Sequence, residues 1–137
     1  SFCSYTAIVL DVEVNDQGNV IVHQADVAFD CGPRVNPERI RAQMEGSVVM
    51  GIGIGLLNEI SASGGRIEQD NFHQYLLPRQ ANAPREVRVH LVDNPDAPMG
   101  GVGEPGLPPV APALTNAIFA ATGKRIRELP VGNQLKG

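Results

Sequence analysis

Between residues 6 and 14 apolar and polar positions alternate. Ile8, Leu10, Val12 and Val14 fall on one side, with Val9, Asp11 and Glu13 on the other, the two-residue period of a half-buried strand. Asn15-Asp16-Gln17-Gly18-Asn19 then supplies residue types that tolerate left-handed backbone. A second apolar run over 20–29 completes a predicted hairpin, which Asp30-Cys31-Gly32-Pro33 ends. After that the period lengthens. Asn36-Pro37-Glu38 has the form of a helix start, with an Asn cap, proline at the first helical position and an acid in the first turn. Over 39–58, Ile40, Met44, Ser47, Val48 and Gly51 form one stripe. Gly46, Ser47, Gly51, Gly53 and Gly55 crowd the same helix. An interior glycine costs about 1 kcal/mol against alanine, so the cluster predicts close approach of another element or of a ligand.

Residues 60–67 predict a small hairpin around Ser63-Gly64-Gly65, and 68–84 form a polar, irregular stretch with the length of a functional loop. Over 86–92, Val87, Val89 and Leu91 alternate with Glu86, Arg88 and His90, again a strand. Residues 95–106 are too rich in glycine and proline for regular structure. A helix is predicted over 109–122, with Leu114, Ala117, Ile118 and Ala121 on one face and Gly123 as its C-cap. Residues 126–131 read as one short last strand. No repeat or linker interrupts the chain. The expectation is one α+β domain over 1–137, with antiparallel hairpins packed against two main helices.

Composition narrows the picture. Of 137 residues, 42% are hydrophobic, enough for one core of ordinary size, but aromatics are 4% and tryptophan is absent. That core therefore rests on Val, Ile, Leu and Ala. A net charge of −4 argues against a nucleic-acid binder. The densest cations, Lys124, Arg125 and Arg127, sit beside a predicted helix end, where they would complement its dipole. Cys3 and Cys31 fit no CxxC pattern and read as free thiols. An iron–sulfur cluster needs about four thiolates, so this chain cannot hold one by itself. No apolar run is long enough to span a bilayer and no signal peptide is recognisable. The opening Ser1-Phe2-Cys3-Ser4-Tyr5 lacks an initiator Met, as a processed or excised piece would.

Candidate chemistry concentrates in Gly100-Gly101-Val102-Gly103-Glu104-Pro105-Gly106. Glycines at 100, 101 and 103 would let backbone N–H groups face an anion or a metal-bound oxygen, beside a carboxylate that Pro105 restrains. A plain surface turn with an exposed Glu is an equally weighted reading. The phosphate-loop pattern GxxxxGK(S/T) is absent. Gly51-Ile52-Gly53-Ile54-Gly55 lies inside a helix rather than after a strand, which favours helix packing over dinucleotide binding. His23, His73 and His90 show no HxH or HExxH spacing, so no metal site made of protein side chains is expected. No GxSxG elbow occurs.

Three stretches together resemble the molybdenum-binding large subunit of the xanthine dehydrogenase/aldehyde oxidase family. They are Asp30-Cys31-Gly32-Pro33-Arg34-Val35-Asn36-Pro37; Gln43-Met44-Glu45-Gly46 with Met50-Gly51; and Gly101-Val102-Gly103-Glu104-Pro105 with Ala111-Pro112-Ala113-Leu114-Thr115-Asn116-Ala117-Ile118. Their order and spacing are similar to the last part of that subunit, nearest to the isoquinoline 1-oxidoreductase β-subunit and bacterial aldehyde dehydrogenase branch.

The resemblance implies a C-terminal piece of a molybdenum cofactor-binding domain and a molybdopterin cytosine dinucleotide cofactor. It implies oxidation of an aldehyde or N-heterocycle with water-derived oxygen, with Glu104 as the general base beside molybdenum. Gln43 matches a glutamine that bonds the pterin region, and Gly101, Val102 and Gly103 match backbone lying against the cofactor. The implied partners are the remainder of the molybdenum subunit and a small subunit carrying 2Fe–2S clusters, in a bacterial cytoplasm or periplasm. Met50-Gly51 stands where many relatives have Gln-Gly, and Gly100 or Gly101 where many have a lysine. A non-catalytic cofactor-binding or assembly domain of the same fold is the alternative. A pterin or nucleotide module unrelated to molybdenum is a weaker one.

Overall fold

A computed structural model of the chain describes residues 2–136. The element order is β1 (Tyr5–Val14), β2 (Val20–Asp30), α1 (Pro37–Leu56), β3 (Ala62–Ser63), β4 (Arg66–Ile67), β5 (Glu86–Leu91) and α2 (Val110–Thr122). β1 and β2 pair antiparallel from Tyr5↔Asp30 to Val14↔Val20. The turn between them is held by the Asn15 side chain, whose Oδ1 accepts the amides of Gln17 (3.1 Å) and Asn19 (2.9 Å). Gly18 takes the left-handed position there at φ 75°. The register shifts between Asp11 and Val12, a bulge that leaves His23 of β2 without an opposite residue.

The second small hairpin also forms, with Gly64 and Gly65 at φ 57° and 78° between β3 and β4. β5 differs from an all-antiparallel arrangement. It joins the far side of β2 in parallel, from Gln24↔Glu86 to Phe29↔Leu91, giving the order β1-β2-β5. Parallel neighbours need a long crossover, and α1 with the 57–85 segment provides it.

The helices cover one face of this sheet, α2 against β1 and α1 against β5, and they pack against each other. α1 begins as its sequence predicts: the Asn36 side chain accepts the Arg39 amide at 3.1 Å and Pro37 is the first helical residue. Ile40, Met44, Ser47, Val48 and Gly51 all face the core. The glycine cluster now has its explanation. A Cβ at Gly51 would collide with the Val110 side chain of α2, and one at Gly55 would sit 2.7 Å from Leu114 Cδ2. One at Gly53 would sit 2.8 Å from the Pro78 ring. Gly46 is the exception, with nothing within 4 Å of such a Cβ. The core is aliphatic as its composition required, with Phe29 its single aromatic member among the described residues.

Two expectations fail at the C-terminal end. Ala121 is exposed, because the buried face of α2 consists of Val110, Leu114 and Ile118 and ends before the last turn. The 126–131 segment is not a strand. Its amides go to the open end of α1 instead: Val131 N–H donates to the Gly55 carbonyl at 2.7 Å and Gly132 N–H to Leu56 at 3.3 Å. The last four carbonyls of a helix lack partners within it, and the tail supplies two while burying Ile126 and Val131. The basic cluster follows the α2 C-cap, Gly123. It lies beyond the last turn, where Arg125 stacks 3.6 Å above the Phe119 ring and bonds the Asn116 side chain. Lys124 donates to the Gln134 carbonyl.

Candidate functional site

The three stretches singled out in the sequence meet in space. The end of β2 turns through Gly32, whose φ of 68° and whose 2.5 Å separation between a would-be Cβ and the Pro98 carbonyl leave room for no side chain. Asp30 holds the turn: its carboxylate accepts the Gly32 amide at 3.0 Å and the Asn94 side chain at 2.8 Å. Arg34 adds a bond to the Leu91 carbonyl and an ion pair with Asp93. The Gly100 amide donates to the Cys31 carbonyl at 2.9 Å. Thus 30–36 and 91–100 run as two knitted strips into the start of α1.

Asp30 gives this knot a pH dependence. The Asn94 amide, and then the Gly32 N–H, hold its carboxyl below the ordinary carboxylate range. A lowered folded value means that the contribution is complete above about pH 4, the ordinary range for Asp. It is lost as pH falls through the lowered value. We expect Asp30→Asn to flatten that acid limb in a stability-against-pH series. An unchanged acid limb would show that Asp30 does not carry it.

The glycine bend continues directly from this knot, since the Gly100 amide is bonded to Cys31. Gln43 Nε2 donates to the Gly103 carbonyl at 2.6 Å, across sixty residues of sequence. Beside that bond is a groove of about 530 Å³, whose lining includes Pro33, Val35, Arg39, Gln43, Met99 and Val102. A smaller recess of about 140 Å³, lined by Phe2, Gly101, Gly103, Glu104 and Pro105, adjoins the bend. After Glu104 the chain dives, and Pro105 and Gly106 are buried. A Cβ at Gly106 would sit 2.8 Å from Met44 Sδ and 2.9 Å from Ser47 Cβ.

The glycines of the bend divide into two kinds. The amides of Gly100 and Gly101 are turned inward, to Cys31 and to the Phe2 carbonyl (2.8 Å), so these two do not present N–H groups outward. Their missing side chains make room for Ser4 and Phe2. Gly103 is open, with nothing within 4 Å of a would-be Cβ. The amides of Val102, Gly103 and Glu104 have no hydrogen-bond partner among the described residues. Glu104 itself is exposed, and its carboxylate makes no hydrogen bond or ion pair among them. The Glu104 side chain is therefore near the Gln43 end of α1 but not in a dry pocket formed by this chain.

No group of three metal-ligating side chains occurs among the described residues, and both cysteines are free. No described helix is long and apolar enough to cross a membrane. Sequence reasoning missed Phe2 and Ser4, which contact the bend from the opposite end of the chain. A single phenylalanine and serine ahead of a strand give no signal of that.

The family model described as a molybdopterin cofactor-binding domain matches residues 1–84. That span includes Gln43 and ends before the glycine bend. Relatives cover the bend as well. The chain is 33% identical over 93% of its length to isoquinoline 1-oxidoreductase subunit beta of Brevundimonas diminuta. It is 32% identical over 83% of its length to the aldehyde oxidoreductase molybdenum-binding subunit PaoC of Escherichia coli. In each case it spans 16% of the relative. Among solved structures, 96% of the chain superposes on the aldehyde oxidoreductase of Desulfovibrio gigas (TM-score 0.77, 27% identity, 15% of that chain). Quinoline 2-oxidoreductase of Pseudomonas putida 86 shares the fold (TM-score 0.80 over 90% of this chain, 17% of that one, 23% identity). The chain therefore belongs to the molybdenum-binding subunits of the xanthine dehydrogenase/aldehyde oxidase family, within their molybdopterin cofactor-binding domain.

Proposed function

We propose that this chain forms part of a molybdenum hydroxylase that oxidises an aldehyde or an N-heterocycle with oxygen drawn from water, and that Glu104 is its general base. The observation that carries the reading is the Gln43–Gly103 bond. It brings the glutamine of α1 and the backbone before Glu104 to one rim of the same groove.

The residues present fit a pterin. Gln43 spends its amide N–H on Gly103 and keeps its side-chain oxygen without a partner among the described residues, an acceptor for a ring N–H or amine. The unpartnered amides of Val102, Gly103 and Glu104 are donors for its oxygens. Gly103 leaves backbone open to close approach. The cofactor, in its cytosine dinucleotide form, supplies the two-electron oxidising centre when bound.

Within that frame the Glu104 carboxylate would take the proton from the water-derived oxygen as that oxygen bonds to the electron-poor substrate carbon, whose C–H bond breaks and gives its electron pair to the oxidising centre that the cofactor would supply. Proton transfer of this kind needs a carboxylate within hydrogen-bond reach and shielded from bulk water. The chain spans about one sixth of the curated relatives it matches. The rest of the subunit would close over the exposed carboxylate and groove and supply most of the substrate pocket. Electrons would leave through 2Fe–2S clusters on a small partner subunit, in a bacterial cytoplasm or periplasm.

Metal and nucleotide analysis of the full-length protein tests this, combined with turnover in isotopically labelled water. Stoichiometric molybdenum, cytidine monophosphate released on hydrolysis and solvent oxygen in the product are expected. Absence of molybdenum would overturn the reading. Molybdenum without turnover on any aldehyde or N-heterocycle would favour a non-catalytic domain of the same fold.

A further inference from the structure

The chain enters β1 through two consecutive residues, Phe2 and Cys3, with φ angles of 54° and 58°. Side chains with a Cβ adopt this left-handed region only where surrounding contacts over-determine it. Here those contacts are with the glycine bend. The Phe2 carbonyl accepts the Gly101 amide at 2.8 Å. Two residues on, the Ser4 hydroxyl donates to the Gly101 carbonyl at 2.6 Å. Both backbone polar groups of Gly101 are therefore taken by one short hook. Ser4 is 4% exposed, a buried polar side chain beside an exposed loop. The contact also requires glycine on the far side. A Cβ at Gly101 would lie 2.9 Å from Phe2 Cβ, and one at Gly100 would collide with the Ser4 hydroxyl. Phe2 then continues into the recess that Glu104 lines.

Other ties locate the ends of the bend, the Gly100 amide on the Cys31 carbonyl and buried Gly106 against Met44 and Ser47, but nearer Glu104 two more act. Gln43 holds the Gly103 carbonyl, and the Glu104 carbonyl accepts the Leu107 amide at 3.1 Å. The backbone leading into Glu104 is thus held at Gly101 by the hook and at Gly103 by Gln43, and these two holds set the direction in which its side chain leaves. The position of a general base matters steeply, since a misplacement of about 1 Å can cost about a hundredfold in rate.

We propose that Ser4 is a positioning residue for Glu104: by fixing the Gly101 carbonyl it aims the carboxylate three residues later, without touching substrate or cofactor. This rests on the reading of Glu104 as the base.

The test uses the full-length loaded enzyme. Ser4→Ala is expected to lower kcat about tenfold to a hundredfold while KM stays within about twofold and molybdenum content is unchanged. Amide hydrogen exchange should quicken over 101–104 and stay at wild-type rates in β2 and α2. Ser4→Thr, which keeps the hydroxyl, should restore both. Should Ser4→Ala fail to accumulate, Ser4→Cys keeps the volume with a weaker donor and gives the same comparison. Unchanged kcat or unchanged exchange at 101–104 would overturn the proposal. So would a loss of molybdenum or a general rise in exchange, because either marks a merely structural role. Glu104→Gln measured in parallel separates the two readings. If that variant stays active, the base assignment fails; if it is dead while Ser4→Ala is normal, only the positioning role fails.

Discussion

Glu104→Gln in the full-length enzyme is expected to lower kcat by about 10² to 10⁴, with molybdenum content, substrate binding and folding as in wild type. The substitution is nearly isosteric and removes the ability to take up a proton. In this fold it removes little else. The Glu104 side chain is exposed and makes no hydrogen bond or ion pair among the described residues. Within this chain, a change at so exposed a side chain usually shifts stability by no more than about 0.5 kcal/mol. The expected loss corresponds to about 3 to 5.5 kcal/mol of transition-state stabilisation, far outside that range, so a dead variant would report on chemistry. Steady-state kinetics beside a molybdenum assay settles it. Activity within a few-fold of wild type would remove Glu104 from the reaction.

How much of this was legible beforehand varies along the chain with the kind of force involved. Local signals were read correctly: the alternation that makes β1 and β5, the Asn36 cap and Pro37 start of α1, and Gly123 at φ 71° closing α2. Each is written in adjacent residues. The glycines of α1 announced close packing, but only the fold assigns Gly51 and Gly55 to α2 and Gly53 to the Pro78 loop.

Partners distant in sequence were not legible. Nothing in Glu86–Leu91 says that it will lie parallel to β2 rather than form a hairpin. Nothing in the alternation near Val131 says that its amide will serve the end of α1. At the site the family likeness drew attention to Gln43 and Glu104, while the reading of the glycine pattern treated Gly100, Gly101 and Gly103 as one set. Gly100 and Gly101 serve the Phe2–Ser4 hook, while Gly103 is open. The difference depends on residues nearly a hundred positions away.

Met44→Ala is expected to destabilise the protein by about 2 to 5 kcal/mol, the usual range for truncating a fully buried large side chain to alanine. Met44 has no exposed surface and lies in the core with Ile40, Val48 and Ile52. Its loss would be a large share of a typical domain stability of about 5 to 15 kcal/mol. Met44→Leu conserves volume and should cost less than about 1.5 kcal/mol.

This side chain also bears on the site, because its sulfur lies 2.8 Å from where a Gly106 Cβ would be and so floors the descent of the chain after Glu104. That geometry makes a coupling prediction. Gly106→Ala alone should cost about 1 to 3 kcal/mol from overpacking. In a Met44→Ala background the sulfur is gone and the added methyl enters the space it left, so the second cost should shrink. It should not vanish, since Ser47 Cβ would still lie 2.9 Å away. Chemical-unfolding midpoints of the four proteins in this cycle should therefore depart from additivity by at least about 0.5 kcal/mol. Strict additivity would mean that the bend does not rest on Met44, and that the core and the Glu104 loop are held independently.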